Sequence, residues 1–151
     1  MKTAEGDLLT LAEEGVFDVI IHGCNCFCTM GAGIAKSIRD RFPAAYDTDT
    51  ATEKGDRKKL GTYSSATIET NERLFVIVNA YTQYEFRARG INADYDAITK
   101  VFARIKHDFA GQRIGYPMIG AGLAGGDWAV ISEIIERELA GEDHTLVIFK
   151  P

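Results

Sequence analysis

The chain has 151 residues, the length of one ordinary domain. With 46% hydrophobic and 26% charged residues, it has enough apolar side chain for a core and too much for a disordered chain. Lys and Arg total 17 against 22 Asp and Glu, a formal charge of −5. That is the wrong sign for attraction to bulk nucleic acid or anionic lipid, so neither is an expected partner.

Residues 1–7 are polar, with no basic flank leading into an apolar stretch, and the longest strongly apolar runs, such as 74–78, are far short of a membrane span. A soluble, cytoplasmic, monomeric protein is expected. Cys24, Cys26 and Cys28 alternate within five residues, a spacing unlike a zinc knuckle and without a second Cys/His pair nearby. They read as small packed residues at a strand end, with no bound metal and no cofactor.

Residues 16–24 form a short β-branched run bounded by glycines, which predicts a central strand. Met30-Gly31-Ala32-Gly33-Ile34-Ala35 then opens a helix through Phe42, its apolar positions recurring at three- and four-residue steps. Pro43 starts a second helix over 43–52, and 53–59 reads as a charged surface loop containing Arg57, Lys58 and Lys59. Strands over 63–68 and 74–78, with Asn71 in the turn, predict a hairpin. Residues 81–91 have no clean period and read as a loop.

Asn92 is the expected cap of a helix with Tyr95, Ile98, Val101, Phe102 and Ile105 inward, closed by Gly111. A short strand over 113–118 leads into a second glycine loop, 119–126. Asp127 then caps a helix with Val130, Ile131, Ile134, Ile135 and Leu139 inward, Gly141 stops it, and 146–149 is the last strand. The alternation predicts an α/β fold with a mixed, mostly parallel sheet between helices.

Glycine is in excess, 15 residues where an average chain has about 7%. Six of them, Gly31, Gly33, Gly120, Gly122, Gly125 and Gly126, fall in two loops that each follow a strand and precede a helix. Such loops face one cleft at the carboxyl edge of the sheet, where consecutive N–H groups beside a helix N-terminus hold a diphosphate without Lys or Arg. Neither loop is a P-loop or a clean dinucleotide fingerprint, and tight packing of turns is the competing explanation.

The stretches Gly6-Asp7-Leu8-Leu9, His22-Gly23-Cys24-Asn25 with Met30-Gly31-Ala32-Gly33-Ile34-Ala35, and Pro117-Met118-Ile119-Gly120-Ala121-Gly122-Leu123 together resemble the ADP-ribose-binding macrodomain family over nearly the whole chain. The resemblance implies a single domain over 1–151, a three-layer α/β/α sandwich, and ADP-ribose or a phosphorylated or conjugated derivative as ligand. Asp7 would accept from the adenine amino group, Leu8 beside it would belong to the ligand site, and Asn25 would contact the distal ribose. The loops Met30–Ala35 and Ile119, Gly120, Ala121, Gly122, Leu123, Ala124 and Gly125 would wrap the diphosphate.

The first loop is closest to the branch containing ADP-ribose 1″-phosphate phosphatases of yeast and phage type. In the neighbouring lysine-dependent glutamyl-ADP-ribose hydrolases, the lysine would fall near Asn79 or Ala80, where this chain has none, and their aspartate has only a displaced counterpart, Asp127. Phosphate removal from ADP-ribose 1″-phosphate is the expected activity, with His22 and Asp127 for proton transfer and Asn79 orienting the water or the terminal phosphate. Each has a structural alternative: a buried histidine, a helix cap and a strand-end turn. Trp128 and Tyr81 are further aromatic candidates beside the cleft, with core packing as their alternative, whereas His107 and His144 read as structural or surface residues. An ADP-ribosyl hydrolase acting on protein or nucleic acid, and a non-catalytic ADP-ribose reader, are the competing functions.

Overall fold

The structure is a computed structural model describing residues 1–86 and 90–151. In chain order its elements are β1 (Lys2–Gly6), α1 (Leu8–Glu13), β2 (Val19–Cys24), α2 (Gly33–Arg41), α3 (Pro43–Thr50), a 3-10 turn (Arg57–Lys59), β3 (Tyr63–Thr70), β4 (Arg73–Tyr81), α4 (Tyr95–Asp108), β5 (Ile114–Tyr116), α5 (Trp128–Glu138) and β6 (His144–Phe149). The six strands form one sheet in the order β1-β6-β5-β2-β4-β3. Every neighbouring pair is parallel except the β3–β4 hairpin at one edge.

Strand alternation sends successive side chains to opposite faces, each with its own core. Ile20 of β2 and Phe75 and Ile77 of β4 pack with Leu8, Leu9, Ile38 and Ala45 of α1 to α3. Val19 and Ile21, with Val78 and Ala80, pack against Ile98, Val101, Phe102 and Ile105 of α4 and Ile131, Ile134 and Ile135 of α5. This is the expected three-layer α/β/α sandwich. None of the helices among the described residues is long and apolar enough to cross a membrane.

The hairpin is longer than its apolar pattern. Pairing runs to Thr70↔Arg73 around Asn71 and Glu72, both at positive φ as a two-residue type I′ turn requires. The cap of α4 is Asp94 rather than Asn92, because the Asp94 carboxylate accepts from Ala97 N. Val130 is 38% exposed, on the outer edge of the α5 stripe rather than inward. The strand expected at 16–24 begins only at Val19, since Val16 N is still held by α1, donating to the Leu11 carbonyl. Polar β1 escaped the sequence pattern because its support is remote: it lies parallel to β6, at the other end of the chain. Of the expected 81–91 loop, Tyr81 ends β4, Gln83 bridges to Ala93, and 87–89 lie outside the described residues.

The charged run after α3 is not wholly solvated. Lys59 is buried, donating to the Cys26 carbonyl at 3.1 Å and lying over the Tyr81 ring, while Arg57 stacks on Tyr84. His144 is buried against Tyr116 and His107 is exposed. The cysteines are free, Cys24 and Cys26 buried and Cys28 half-buried.

Candidate functional site

Strands β2 and β5 are neighbours and parallel, so the loops after them leave the same sheet edge side by side. Between them lies a cleft of about 490 Å³, a volume suited to a nucleotide-sized ligand. One wall is Asn25, Thr29 and Met30 through Ala35; the other is Pro117 through Gly120 with Gly122, Leu123 and Ala124; Gln83 and Phe86 contribute from the segment after β4.

The first wall is held by an Asx turn: Asn25 Oδ1 accepts from Phe27 N at 2.8 Å, and its amide donates to Thr29 Oγ1 at 2.8 Å. Cys28 and Met30 then adopt positive φ, uncommon for residues with a Cβ, and Gly33 turns into α2 at φ 60°. The cap position, Ala32, offers no side-chain acceptor, so the first-turn N–H groups of α2 lack a capping side chain. In the second wall Gly126 N donates to Gly120 O at 2.7 Å, and a Cβ on Gly126 would stand 2.5 Å from that oxygen. Only glycine permits this approach.

Twelve of the residues expected at the ligand line this cleft: Asn25, Met30, Gly31, Ala32, Gly33, Ile34, Ala35, Ile119, Gly120, Gly122, Leu123 and Ala124. Asp7, Leu8, Ala121 and Gly125 do not line it. Asp7 caps α1, accepting from Leu9 N and Thr10 N, and pairs with Arg41 at 3.5 Å.

The three residues expected to carry chemistry lie outside the cleft lining. Asp127 caps α5 through Ala129 N at 2.9 Å. His22 and Asn79 are fully buried register partners on β2 and β4, His22 Nε2 lying 2.6 Å from Asn79 Oδ1. Burial pushes the His22 imidazole down to about 4, outweighing the Asn79 contact that favours its charged form. Tyr81 is buried in the core below α3, and Trp128 packs against the α4–α5 core.

Asp49 lines the cleft although nothing in its local sequence distinguishes it. It is 1% exposed and accepts from the Tyr81 hydroxyl at 2.8 Å. Burial raises its pKa, opposed by the Tyr81 bond and the Lys59 charge. A smaller hollow, about 350 Å³ and lined by Phe27, Thr29, Lys54, Glu85 and Phe86, shares Thr29 and Phe86 with the cleft.

No family model matches the chain. An uncharacterised 17.5 kDa protein from the tk-vs intergenic region of Enterobacteria phage T4 is 32% identical over all of this chain and 97% of its own. The macrodomain of Mycobacterium tuberculosis DarG superimposes with a TM-score of 0.75 at 21% identity, over 100% of this chain and 98% of that one. Thermosipho africanus DarTG, solved in complex with ADP-ribose, gives 0.72 at 16% identity over 100% of this chain and 42% of its own. The chain has the macrodomain fold. An ADP-ribose 1″-phosphate phosphatase of Aspergillus oryzae is 43% identical to this chain over 47 residues, 31% of this chain and only 22% of the fungal protein.

Proposed function

We propose that this macrodomain binds ADP-ribose in the cleft between its two glycine loops and removes the phosphate from ADP-ribose 1″-phosphate. The observation that carries the reading is the start of α2: its N-terminus lacks a capping side chain, lies in one wall of the cleft and faces a second glycine-dense loop. Backbone N–H groups and the helix dipole there favour a diphosphate with no Lys or Arg among the described lining residues. The short match to the fungal phosphatase and the ADP-ribose bound to the Thermosipho protein support the same ligand. Asn25 takes the distal ribose, and Asp7, beyond the lining, reaches the adenine. His22 and Asn79 stand on β2 and β4, whose following residues Asn25 and Gln83 line the cleft, and Asp127 caps the helix after the second loop, the places from which they were expected to act.

Calorimetry with ADP-ribose, ADP and NAD tests binding, with ADP-ribose expected to be tightest. Free phosphate released from ADP-ribose 1″-phosphate tests the activity, and no release above buffer removes the phosphatase half. The hollow beside Thr29 favours a second reading, release of ADP-ribose from a larger conjugate on protein or nucleic acid. Conjugates left intact by a preparation that binds ADP-ribose remove that one.

A further inference from the structure

Asp49 is the one carboxyl side chain among the described residues lining the cleft, which include no His, Lys or Arg. The other ionisable lining group is Cys24, whose thiol burial drives well away from ionisation at neutral pH. Asp49 is also tied to the turn that carries Asn25, the residue proposed for the distal ribose. Cys28, in the Asn25–Thr29 turn, donates to the Asp49 carbonyl at 3.2 Å, so the end of α3 is fastened to that turn.

Behind Asp49 runs a row of hydrogen bonds, buried except at half-buried Ser64, that leads toward the carboxylate. Asn79 Nδ2 donates to the Ala45 carbonyl at 3.0 Å, which fixes the amide orientation and leaves Asn79 Oδ1 to accept from His22 Nε2. The same Nδ2 donates to Ser64 Oγ at 3.1 Å. Ser64 is then free to donate to the Tyr81 hydroxyl at 2.8 Å, and Tyr81 donates to Asp49 Oδ1 at 2.8 Å. His22, Asn79 and Ser64 are register partners across β2, β4 and β3, so the sheet itself sets their spacing. Each donor points toward Asp49, and such chains strengthen one another in a low-dielectric interior.

Resting on the phosphatase reading, we propose that Asp49 is the general acid–base of the cleft, with Tyr81, Ser64, Asn79 and His22 as positioning residues. A water oxygen bonds to phosphorus as the bond between phosphorus and O1″ breaks. The Asp49 carboxyl gives its proton to O1″ and recovers one from the water that has added to phosphorus, releasing ADP-ribose and inorganic phosphate. The charged and titratable groups facing Asp49 are Tyr81 from β4, Lys59 from the 3-10 turn, and the thiols of Cys24, Cys26 and Cys28 from β2 and the loop after it.

Asp49→Asn keeps an acceptor for Tyr81 and removes the exchangeable proton. It is expected to bind ADP-ribose like the parent and to lose about 10²- to 10⁴-fold in kcat. Tyr81→Phe removes a donor to the carboxylate, so the ionisation attributed to Asp49 in the pH profile moves to higher pH. Calorimetry of the products, ADP-ribose with inorganic phosphate, in buffers of different ionisation enthalpy supplies a readout independent of turnover: the parent takes up a proton that Asp49→Asn does not. Full turnover by Asp49→Asn, or equal proton uptake by both proteins, overturns the assignment of Asp49. Failure of the parent to bind ADP-ribose instead overturns the ligand reading on which it rests.

Discussion

The Tyr81 hydroxyl donates to Asp49 Oδ1 across 2.8 Å, joining the last residue of β4 to the last turn of α3. Both residues are almost wholly buried, so the carboxyl has little water to replace a lost donor. Tyr81→Phe is expected to destabilise the fold by about 1.5–3 kcal/mol, the scale for a hydrogen bond to a charged group. Urea denaturation at neutral pH measures it, and an unchanged midpoint would show that the bond contributes nothing net.

The buried imidazole of His22 makes stability depend on pH. Its folded value of about 4 lies below the usual 6.5, so between these values the unfolded chain binds the extra proton and stability rises with pH. Across the full window the contribution is about 3 kcal/mol, present at neutral pH and lost as pH falls from 6.5 toward 4. Asp49 works in the opposite sense: its raised pKa means that the folded state holds its proton longer, and stability drops as pH climbs through that value. Comparing the parent with His22→Gln isolates the histidine, and the variant should show a flatter stability profile over pH 4–6.5. Parallel profiles would contradict the buried neutral ring.

Two glycines in the second loop separate close approach from mere openness. A Cβ at Gly126 meets Gly120 O at 2.5 Å and Ile131 Cδ1 at 2.8 Å, whereas one at Gly122 meets nothing within 4 Å. Gly126→Ala should lower the melting temperature by several degrees, on the scale of about 1–3 kcal/mol for overpacking. Gly122→Ala should leave it unchanged. Equal melting temperatures would mean that the loop yields freely around Gly126.

Asp7 has a structural duty as well as a proposed adenine contact. Removing it with Asp7→Ala strips the cap from α1, worth about 0.5–2 kcal/mol, whereas Asp7→Asn preserves the cap. The proposed contact predicts that Asp7→Ala loses about ten- to a hundredfold in ADP-ribose affinity. Calorimetry reads the affinity while thermal denaturation reads the cap. Undiminished affinity in a destabilised Asp7→Ala protein would confine Asp7 to capping.

Local signals were readable where local chemistry decides the outcome. The glycine loops, the Asp127 cap and the apolar stripe of α4 all follow from neighbours within a few residues, and all stand where the pattern puts them. Asp49 was hidden because its setting comes from Tyr81, 32 residues away, and its own helix reads as a polar surface segment. Lys59 was hidden for the same reason, a buried cation inside a run of exposed charge. His22 was singled out for its place beside the first loop, but strand alternation turns it toward α3 and into the row with Asn79 and Ser64.

The cleft is also a seam. Met30, Ile34 and Ala35 in one wall pack with the core beneath α1 to α3, whereas Ile119 in the other belongs to the core beneath α4 and α5. A molecule filling the gap therefore touches both halves of the sandwich at once and acts as a rivet through the sheet edge. Amide exchange should accordingly slow on both faces of the sheet when the cleft fills, as binding energy adds to the cost of opening either layer.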